Sequence, residues 1–205
     1  MTATAEVKRG PGRPSSGARE RVLDAALETL LEEGYAGLTY AKVADRAGEN
    51  KSLISYYFDS RQGLVAAVAG LIGEQLTQEV LAEIRGSTQA AELSEGLVRG
   101  IWQVMDEDPR VARLYFDLSA VSVVDDQVRE ALREVKARWR EVIGEYLAKA
   151  GVPANQIDAT AAYLLAGTQG LAIERLDEED PERLEAACRL FVRASSLAIS
   201  SNPEG

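Results

Sequence analysis

The segment from Thr39 to Leu64 constrains the fold more than any other part of the chain. It reads TYAKVADRAGENKSLISYYFDSRQGL, which fits two short helices joined by a tight turn and the start of a third. Gly48 can adopt the positive φ that ends the first of these helices without a Cβ clash. Apolar residues recur at spacings that let the two helices share a core: Val43, Ala47, Ile54 and Tyr57. The segment therefore predicts a helix-turn-helix whose second helix, about 51–58, has the size to enter a DNA major groove.

The net charge is distributed unevenly along the chain. The 205 residues carry a net charge of −10, which is unusual for a nucleic-acid binder. Residues 1–64 hold nine basic and nine acidic side chains, whereas residues 65–205 hold 14 and 24 and so account for all of the excess. This division predicts that an acidic body faces away from DNA while the N-terminal part approaches it.

The periodicity predicts an all-α protein of about nine helices in three parts. Residues 1–17 are rich in Gly, Pro and Ser and are interpreted as a flexible basic arm. Residues 18–64 form the helix-turn-helix head, and residues 65–205 form a helical body. Thr39, Asn50 and Ser60 are the expected N-caps of the second, third and fourth helices. The expected helices cover 18–33, 40–47, 51–58, 61–85, 88–107, 109–124, 125–150, 154–176 and 181–200.

Composition excludes several classes of function. The chain has no His and a single Cys, and it shows no metal-spaced cluster, phosphate-binding glycine loop or nucleophile elbow. We therefore expect no enzyme activity, no cofactor and no metal. No apolar run approaches the roughly 20 residues that span a bilayer, and the basic N-terminus lacks the apolar stretch of a signal peptide. The lone Cys188 suits a reducing compartment, so a cytoplasmic location without a membrane partner is expected.

The helix-turn-helix segment resembles the tetracycline-repressor (TetR) family of one-component bacterial regulators. The matching elements are Thr39, Val43-Ala44, Ala47-Gly48, Tyr56-Tyr57-Phe58 and Ser60 to Leu64. The resemblance implies a sequence-specific transcriptional regulator, most often a repressor, with a sensing body. Two positions depart from the family pattern: Ser55 stands where many members carry Tyr, and Glu49 replaces an apolar residue. Glu49 either weakens packing at the turn or lays its stem on the surface with the carboxylate in water.

The candidate DNA contacts fall into two groups, one that positions the protein and one that reads bases. Candidate phosphate contacts are Thr39, Tyr40, Lys42, Tyr56, Tyr57 and Arg61. Lys51, Ser52 and Ser55 are the candidates for base edges. Asn50 is expected to cap its helix or to contact DNA, but not both. For Tyr57 and Phe58, filling the core of the head is the alternative.

The arm carries Arg9-Gly10-Pro11-Gly12-Arg13-Pro14, which is similar to the Gly-Arg-Pro core of AT-hook peptides. Gly and Pro keep such a segment narrow, so Arg9 and Arg13 could enter an A·T-rich minor groove. The alternative is non-specific attraction to phosphate, or no contact at all.

The predicted recognition helix has one basic residue, so each head should bind DNA modestly, and pairing on a palindromic double-stranded operator would compensate. The family resemblance implies a homodimer built from the last two helices. Small residues there allow close helix approach, and large ones add apolar area; an internal core is the alternative. The interface candidates are Ala161, Ala162, Leu164, Leu165, Ala166, Gly167, Gly170, Leu171, Leu190, Phe191 and Leu197.

The resemblance also implies a cavity in the body for a small apolar effector whose identity the sequence leaves open. The candidate lining residues are Trp102, Met105, Tyr115, Phe116, Trp139, Ile143, Tyr146 and Tyr163. Asp117, Gln169 and Glu174 are candidate polar anchors, since pockets are mostly apolar with a few polar groups. Simple core packing is the alternative for each aromatic residue. The alternative for the whole chain is a helical dimeric scaffold or sensor that does not bind an operator.

Overall fold

The computed structural model describes residues 17–177 and 179–200, apart from the side chain of Ser200. Over these residues the chain forms nine α-helices and no strand, which confirms the predicted all-α fold. Arg9 and Arg13 of the predicted arm lie outside the described residues. The helices are α1 (Ala18–Gly37), α2 (Tyr40–Ala47), α3 (Lys51–Phe58), α4 (Arg61–Ile84), α5 (Ala90–Glu107), α6 (Pro109–Val121), α7 (Asp126–Lys149), α8 (Ile157–Asp177) and α9 (Pro181–Ser200).

Side-chain caps begin three of the first four helices, as predicted. The Thr39 hydroxyl accepts from the Lys42 amide at 3.3 Å, and Asn50 Oδ1 accepts from the Leu53 amide at 2.9 Å. Ser60 Oγ accepts from the amide of Gly63 at 2.9 Å. Each cap satisfies a backbone N–H that the first turn leaves without a helical partner. Between α2 and α3, Gly48 has φ 66°, which fits the predicted turn.

Several helix ends differ from the sequence-based expectation, among them the start of α8 at Ile157, three residues later than expected. Gly34 has φ 67°, and it kinks α1 there rather than ending it. The helix α6 ends at Val121, three residues earlier than expected. The side chain of Arg129 donates to the carbonyls of Ser122 at 2.8 Å and Val123 at 2.9 Å. A side chain from α7 therefore satisfies carbonyl groups just after α6, which supports a turn where the periodicity predicted helix.

The helix α4 lies at the centre of the molecule and packs most extensively on α5 and α7. Gly73 permits the close approach to α7, because a Cβ at this position would lie 2.5 Å from a methyl carbon of Val135. By length and a mean hydropathy of 1.2, α4 is also the one helix among the described residues that could cross a membrane. Its burial against α5 and α7 accounts for this apolar character.

The head (α1–α3) and the body share one hydrophobic core. Val22 of α1, Val43 of α2 and Ile54 of α3 belong to the same buried cluster as Leu118 of α6 and Leu132 of α7. The predicted division between residues 64 and 65 falls within α4, whose residues on both sides of that point are buried in this cluster. Packing continuity therefore links the base of the helix-turn-helix to the helices of the body.

Candidate functional site

The helix α3 has one face in the core and one in solvent. Ile54 and Phe58 are buried among the head helices. The opposite face carries four exposed side chains: Lys51, Ser52, Ser55 and Tyr56. Tyr56 is the most prominent, with 70% of its surface exposed. The helix is thus an exposed rod of eight residues held by a three-helix head, with a lysine, two hydroxyls and a phenol available for contact.

The residues around the start of α2 and α3 have partly structural roles. Asn50 caps α3 through its side-chain oxygen, so the structure supports capping over contact for that atom. Tyr40 is half-buried, its hydroxyl is buried, and this burial raises the pKa of the phenol. The neighbouring Ser55 hydroxyl opposes part of that shift without completing a hydrogen bond of good geometry. Because this hydroxyl is buried, a phosphate can reach it only if the side chains around it move.

Tyr57 and Phe58 divide between surface and core. Phe58 is buried, as its alternative interpretation held, and the guanidinium of Arg19 lies 5.3 Å from its ring centroid. Tyr57 is half-buried, and its ring meets Tyr56 edge-on with centroids 5.4 Å apart. Tyr57 therefore supports the exposed ring of Tyr56 while keeping part of its own surface in solvent.

Arg61 fastens the head internally, although the sequence predicts it as a phosphate contact. Its guanidinium donates to the carbonyl of Leu38 at 3.0 Å and to the carbonyl of Tyr35. It also stacks over the Tyr35 ring, with 4.1 Å between the guanidinium carbon and the ring centroid. These contacts tie the chain after the kink of α1 to the first turn of α4, and they engage Nε and Nη2 of the guanidinium, which a phosphate would otherwise contact.

Three cations of the head are paired with carboxylates of the head itself. Lys42 pairs with Glu33, Arg46 with Glu32, and Arg21 with Glu49. The hydrogen bond from Arg46 lowers the pKa of Glu32. Glu49 departs from both sequence-based interpretations: its side chain is only 15% exposed, and its carboxylate bonds the Arg21 guanidinium rather than water alone. A long-range ion pair between α1 and the turn thus accommodates the acidic residue.

The body contains a cavity of about 70 Å³ between α4, α5, α6, α7 and α8. Five of the predicted residues line it, namely Tyr115, Phe116, Trp139, Ile143 and Gln169. Gln169 Nε2 donates to the Tyr115 hydroxyl at 2.8 Å, and the Trp139 indole N–H donates to the Thr77 hydroxyl at 2.8 Å. Burial raises the pKa of Tyr115 to about 12.

Other predicted lining residues lie elsewhere. Trp102 and Met105 pack in a small separate cluster with Ala112 and Ala172, where the guanidinium of Arg175 covers the Trp102 ring at 4.9 Å. Tyr163 faces outward, because α8 turns that position away from α4 and α5. Tyr146 packs in the core between α5, α7 and α8 without lining the cavity. The predicted anchors Asp117 and Glu174 are exposed, so Gln169 alone fits that role.

The sequence-based prediction did not include the contribution of α4 to the cavity wall. Leu76, Thr77, Val80 and Leu81 lie on this wall. Thr77 lies on the same face of α4 as Val80 and Leu81, three and four residues later, and this spacing could have marked it, since a buried hydroxyl needs a partner. It donates to the Gly73 carbonyl at 2.6 Å and accepts from Trp139.

The predicted interface residues of α8 and α9 separate into inner and outer sets. Ala161 and Leu164 are fully buried in the chain's own core, Leu165 lines the cavity, and Gly167 and Phe191 pack on each other. These residues therefore serve the packing of α8 on its neighbours within the same chain. Leu171 is half-buried. The exposed members of the prediction are Ala162, Ala166, Gly170, Leu190 and Leu197. Tyr163, Ile173 and Ala194, which were not predicted for the interface, are also exposed on these two helices.

Comparison with known proteins decides the family. Residues 22–68 match the family model "Bacterial regulatory proteins, tetR family", and residues 90–195 match "BetI-type transcriptional repressor, C-terminal". This chain belongs to the TetR family. Its helix-turn-helix is that of a DNA-binding transcriptional regulator, of the repressor type by its C-terminal match, and members of the TetR family are regulators rather than enzymes.

Relatives of the TetR family match nearly the whole chain. The HTH-type transcriptional regulator BetI of Cronobacter sakazakii is 27% identical over 180 residues, which cover 85% of this chain and 89% of the relative. The HTH-type transcriptional regulator CymR of Pseudomonas putida is 25% identical over 185 residues, covering 88% and 87%. The crystal structure of the multidrug binding protein EbrR complexed with imidazole superposes with a TM-score of 0.70, at 27% identity over 92% of this chain and 96% of that one. A transcriptional regulator from Saccharomonospora viridis in complex with choline shares the fold, with a TM-score of 0.65 at 20% identity over 86% of this chain and 94% of that one.

Proposed function

We propose that this TetR-family repressor binds a palindromic operator as a homodimer and leaves it when a small apolar molecule enters the body cavity. It would act in the cytoplasm, where a bacterial chromosome is accessible. The observation that carries the DNA part is the exposed face of α3, where Lys51, Ser52, Ser55 and Tyr56 project from a helix whose other face is buried. A helix of this kind can lie along base edges in a major groove.

The contacts with DNA would divide by chemistry. Lys51, Ser52 and Ser55 have the donors and acceptors to read base edges, while Lys42, Tyr56 and Tyr57 suit phosphate oxygens. The exposed Thr39 and the backbone amides at the starts of α2 and α3 would add phosphate contacts near the helix N-termini, while the Asn50 side chain caps α3 and Tyr40 would need to move to expose its hydroxyl. Arg9 and Arg13 would approach the minor groove, and Arg61 would act chiefly by holding the head together.

Dimerisation would use the outer face of α8 and α9. Apolar side chains exposed on both helices support this assignment: Tyr163, Ile173, Leu190 and Leu197. Small neighbours such as Ala162, Ala166 and Gly170 would let the helices of two protomers approach closely. Exposed apolar surface of this extent is uncommon on monomers, and a twofold axis through it would give a self-complementary interface.

The size of the cavity supports a mechanism for release. At about 70 Å³ it is smaller than the roughly 150 Å³ cavity that holds one benzene in another protein, so a ligand would push its wall outward. That wall includes Leu76, Thr77, Val80 and Leu81 of α4, whose first turn supports the head. EbrR is named a multidrug binding protein and the S. viridis regulator was solved with choline, which supports a small-molecule site in such bodies. Release follows if the widened state binds operator more weakly.

Substitutions in the head test the division between reading and positioning. We expect Lys42→Ala to weaken binding to operator and random DNA alike and to flatten the salt dependence by about one unit of log–log slope. Ser52→Ala and Ser55→Ala should instead change which base is preferred at a half-site position. Fluorescence anisotropy with operator and scrambled duplexes, over a range of salt concentration, measures both effects.

Two results would count against this division. Equal effects of the lysine and serine substitutions on operator and random DNA would show that the assignments of these residues are wrong. No binding to any segment of the surrounding genome at low salt would favour the alternative of a helical scaffold or sensor without operator binding.

A further inference from the structure

The wall of the body cavity carries no formal charge. None of its lining residues is Asp, Glu, Lys or Arg, and five carry polar groups: Thr77, Tyr115, Trp139, Thr168 and Gln169. The remaining lining side chains are aliphatic, apart from the ring of Phe116. A charged ligand would lose its hydration here without an opposite charge to replace it, at a large cost in free energy.

Most of the polar groups in this wall already have partners. The Thr168 hydroxyl donates to the Leu164 carbonyl at 2.9 Å, and the Thr77 hydroxyl donates to Gly73 and accepts from the Trp139 indole. The Tyr115 hydroxyl accepts from Gln169 and also interacts with the hydroxyl of Ser119, whose own O–H donates to the Tyr115 carbonyl. A ligand oxygen can take the Tyr115 O–H proton in place of Ser119, and the Gln169 side-chain oxygen keeps hydrogen-bonding capacity. The two side chains, joined by this 2.8 Å hydrogen bond, therefore offer a ligand one donor and one acceptor.

The aromatic rings of the cavity do not form a cage for a cation. Tyr115 contacts both neighbours, with its ring centroid 5.3 Å from that of Trp139 and 5.4 Å from that of Phe116. A quaternary ammonium group binds against the open faces of several rings, each within about 6 Å of its charge. Rings that pack against each other at these distances leave no room between them for such a group.

We propose that the effector is a neutral, largely apolar molecule with one oxygen that binds the Tyr115–Gln169 pair, such as a ketone, ester or alcohol. This assignment rests on the proposed function and specifies the chemistry of its ligand. Quaternary ammonium cations and carboxylates are excluded by the same wall. Because burial keeps the Tyr115 phenol protonated, it remains a donor throughout the physiological pH range.

Four probes of similar size and different charge test the proposal: acetophenone, ethylbenzene, benzoate and benzyltrimethylammonium. Binding to the full-length protein is followed by calorimetry and by the intrinsic fluorescence of its two tryptophans, of which Trp139 lines the cavity. We expect acetophenone to bind at least tenfold more tightly than benzoate or benzyltrimethylammonium, and ethylbenzene to bind with intermediate affinity. Tyr115→Phe should weaken acetophenone about fivefold, the effect of one lost hydrogen bond, and leave ethylbenzene unchanged.

Tighter binding of either ion, equal losses for both neutral probes in Tyr115→Phe, or no binding of acetophenone up to its solubility would overturn the proposal. The comparison among probes uses the unmodified protein, so it stands even if the variant folds poorly. Operator release is measured separately by anisotropy. If acetophenone binds and operator stays bound, the regulatory function fails while the ligand class holds; if benzyltrimethylammonium releases operator, the reverse is true.

Discussion

At the scale of single residues, the head limits its own attraction for DNA. Lys42, the candidate phosphate contact of α2, forms an ion pair with Glu33 of α1. Arg46, also on α2, forms an ion pair with Glu32 of α1. A phosphate must compete with these carboxylates for the cations. In the proposed complex, this pairing and the zero net charge of residues 1–64 would keep binding to random sequences weak, so that base contacts on α3 would decide where the protein binds.

Replacing Glu33 tests this competition. We expect Glu33→Gln to raise affinity for operator and random DNA about two- to fivefold, which corresponds to the free energy of one exposed ion pair. The freed lysine should also steepen the salt dependence of binding. Anisotropy titrations at several salt concentrations provide the measurement. Glu141→Gln is the matched control, because it makes the same charge change at an exposed position of α7. An unchanged affinity in Glu33→Gln, or an equal gain in the control, would refute the competition.

At the scale of elements, α4 and α7 cross next to the cavity. A ligand that widened the cavity would move α4 at this crossing, and α4 would carry the movement to the head. Gly73 of α4 touches Val135 of α7 so closely that a single methyl group would force the two helices apart. The adjacent turn of α4 carries Thr77, which bonds Trp139 across the same crossing. An added methyl at Gly73 should therefore imitate the entry of a ligand.

We expect Gly73→Ala to weaken operator binding about tenfold in the absence of effector, if a widened α4–α7 crossing is the released state. Gly70→Ala, one turn earlier, is the control, because a Cβ there meets nothing within 4 Å. That control should retain operator affinity and gain about 0.5–1 kcal/mol of stability from helix propensity. Anisotropy gives the affinity, and urea unfolding gives the free energy of unfolding. Full operator affinity in a folded Gly73→Ala protein would contradict the mechanism.

The helices themselves were predictable from sequence, because their signals are local. Thr39, Asn50 and Ser60 cap helices as expected, and α3 has the predicted ends. The positions of side chains around each helix were less predictable, since they depend on which neighbour packs against it. Tyr163 and Trp102 therefore lie outside the cavity, and the pairing of Glu49 with Arg21 joins residues 28 apart in sequence.

At the scale of the whole molecule, the proposed dimer would depend on the outer face of α8 and α9. Leu190 and Leu197 are 64% and 67% exposed on α9, where a protein that remained monomeric would gain solubility from polar residues. The inner residues Ala161 and Leu164 already serve the core. The same pair of helices thus packs inward through one set of side chains and offers another outward.

We expect the double substitution Leu190→Glu and Leu197→Glu to produce monomers, because burying two carboxylates from each protomer at a twofold interface is strongly unfavourable. Analytical ultracentrifugation measures the mass, and operator affinity should fall with it. Val124→Glu, at an 85% exposed valine between α6 and α7, controls for the loss of an exposed apolar side chain. A dimer that survives the double substitution would place the interface elsewhere.

The most direct test of the account is selection of genomic fragments by the purified protein at physiological salt, followed by footprinting of the fragments retained. The account predicts a palindrome whose half-sites lie one helical turn apart or a multiple of it, about 34–36 Å per turn, and whose preferred bases change in Ser55→Ala. Two results would contradict the claim that the exposed face of α3 reads DNA. One is retention of fragments that share no palindrome. The other is a site whose preferred bases stay the same when Lys51, Ser52 and Ser55 are each substituted.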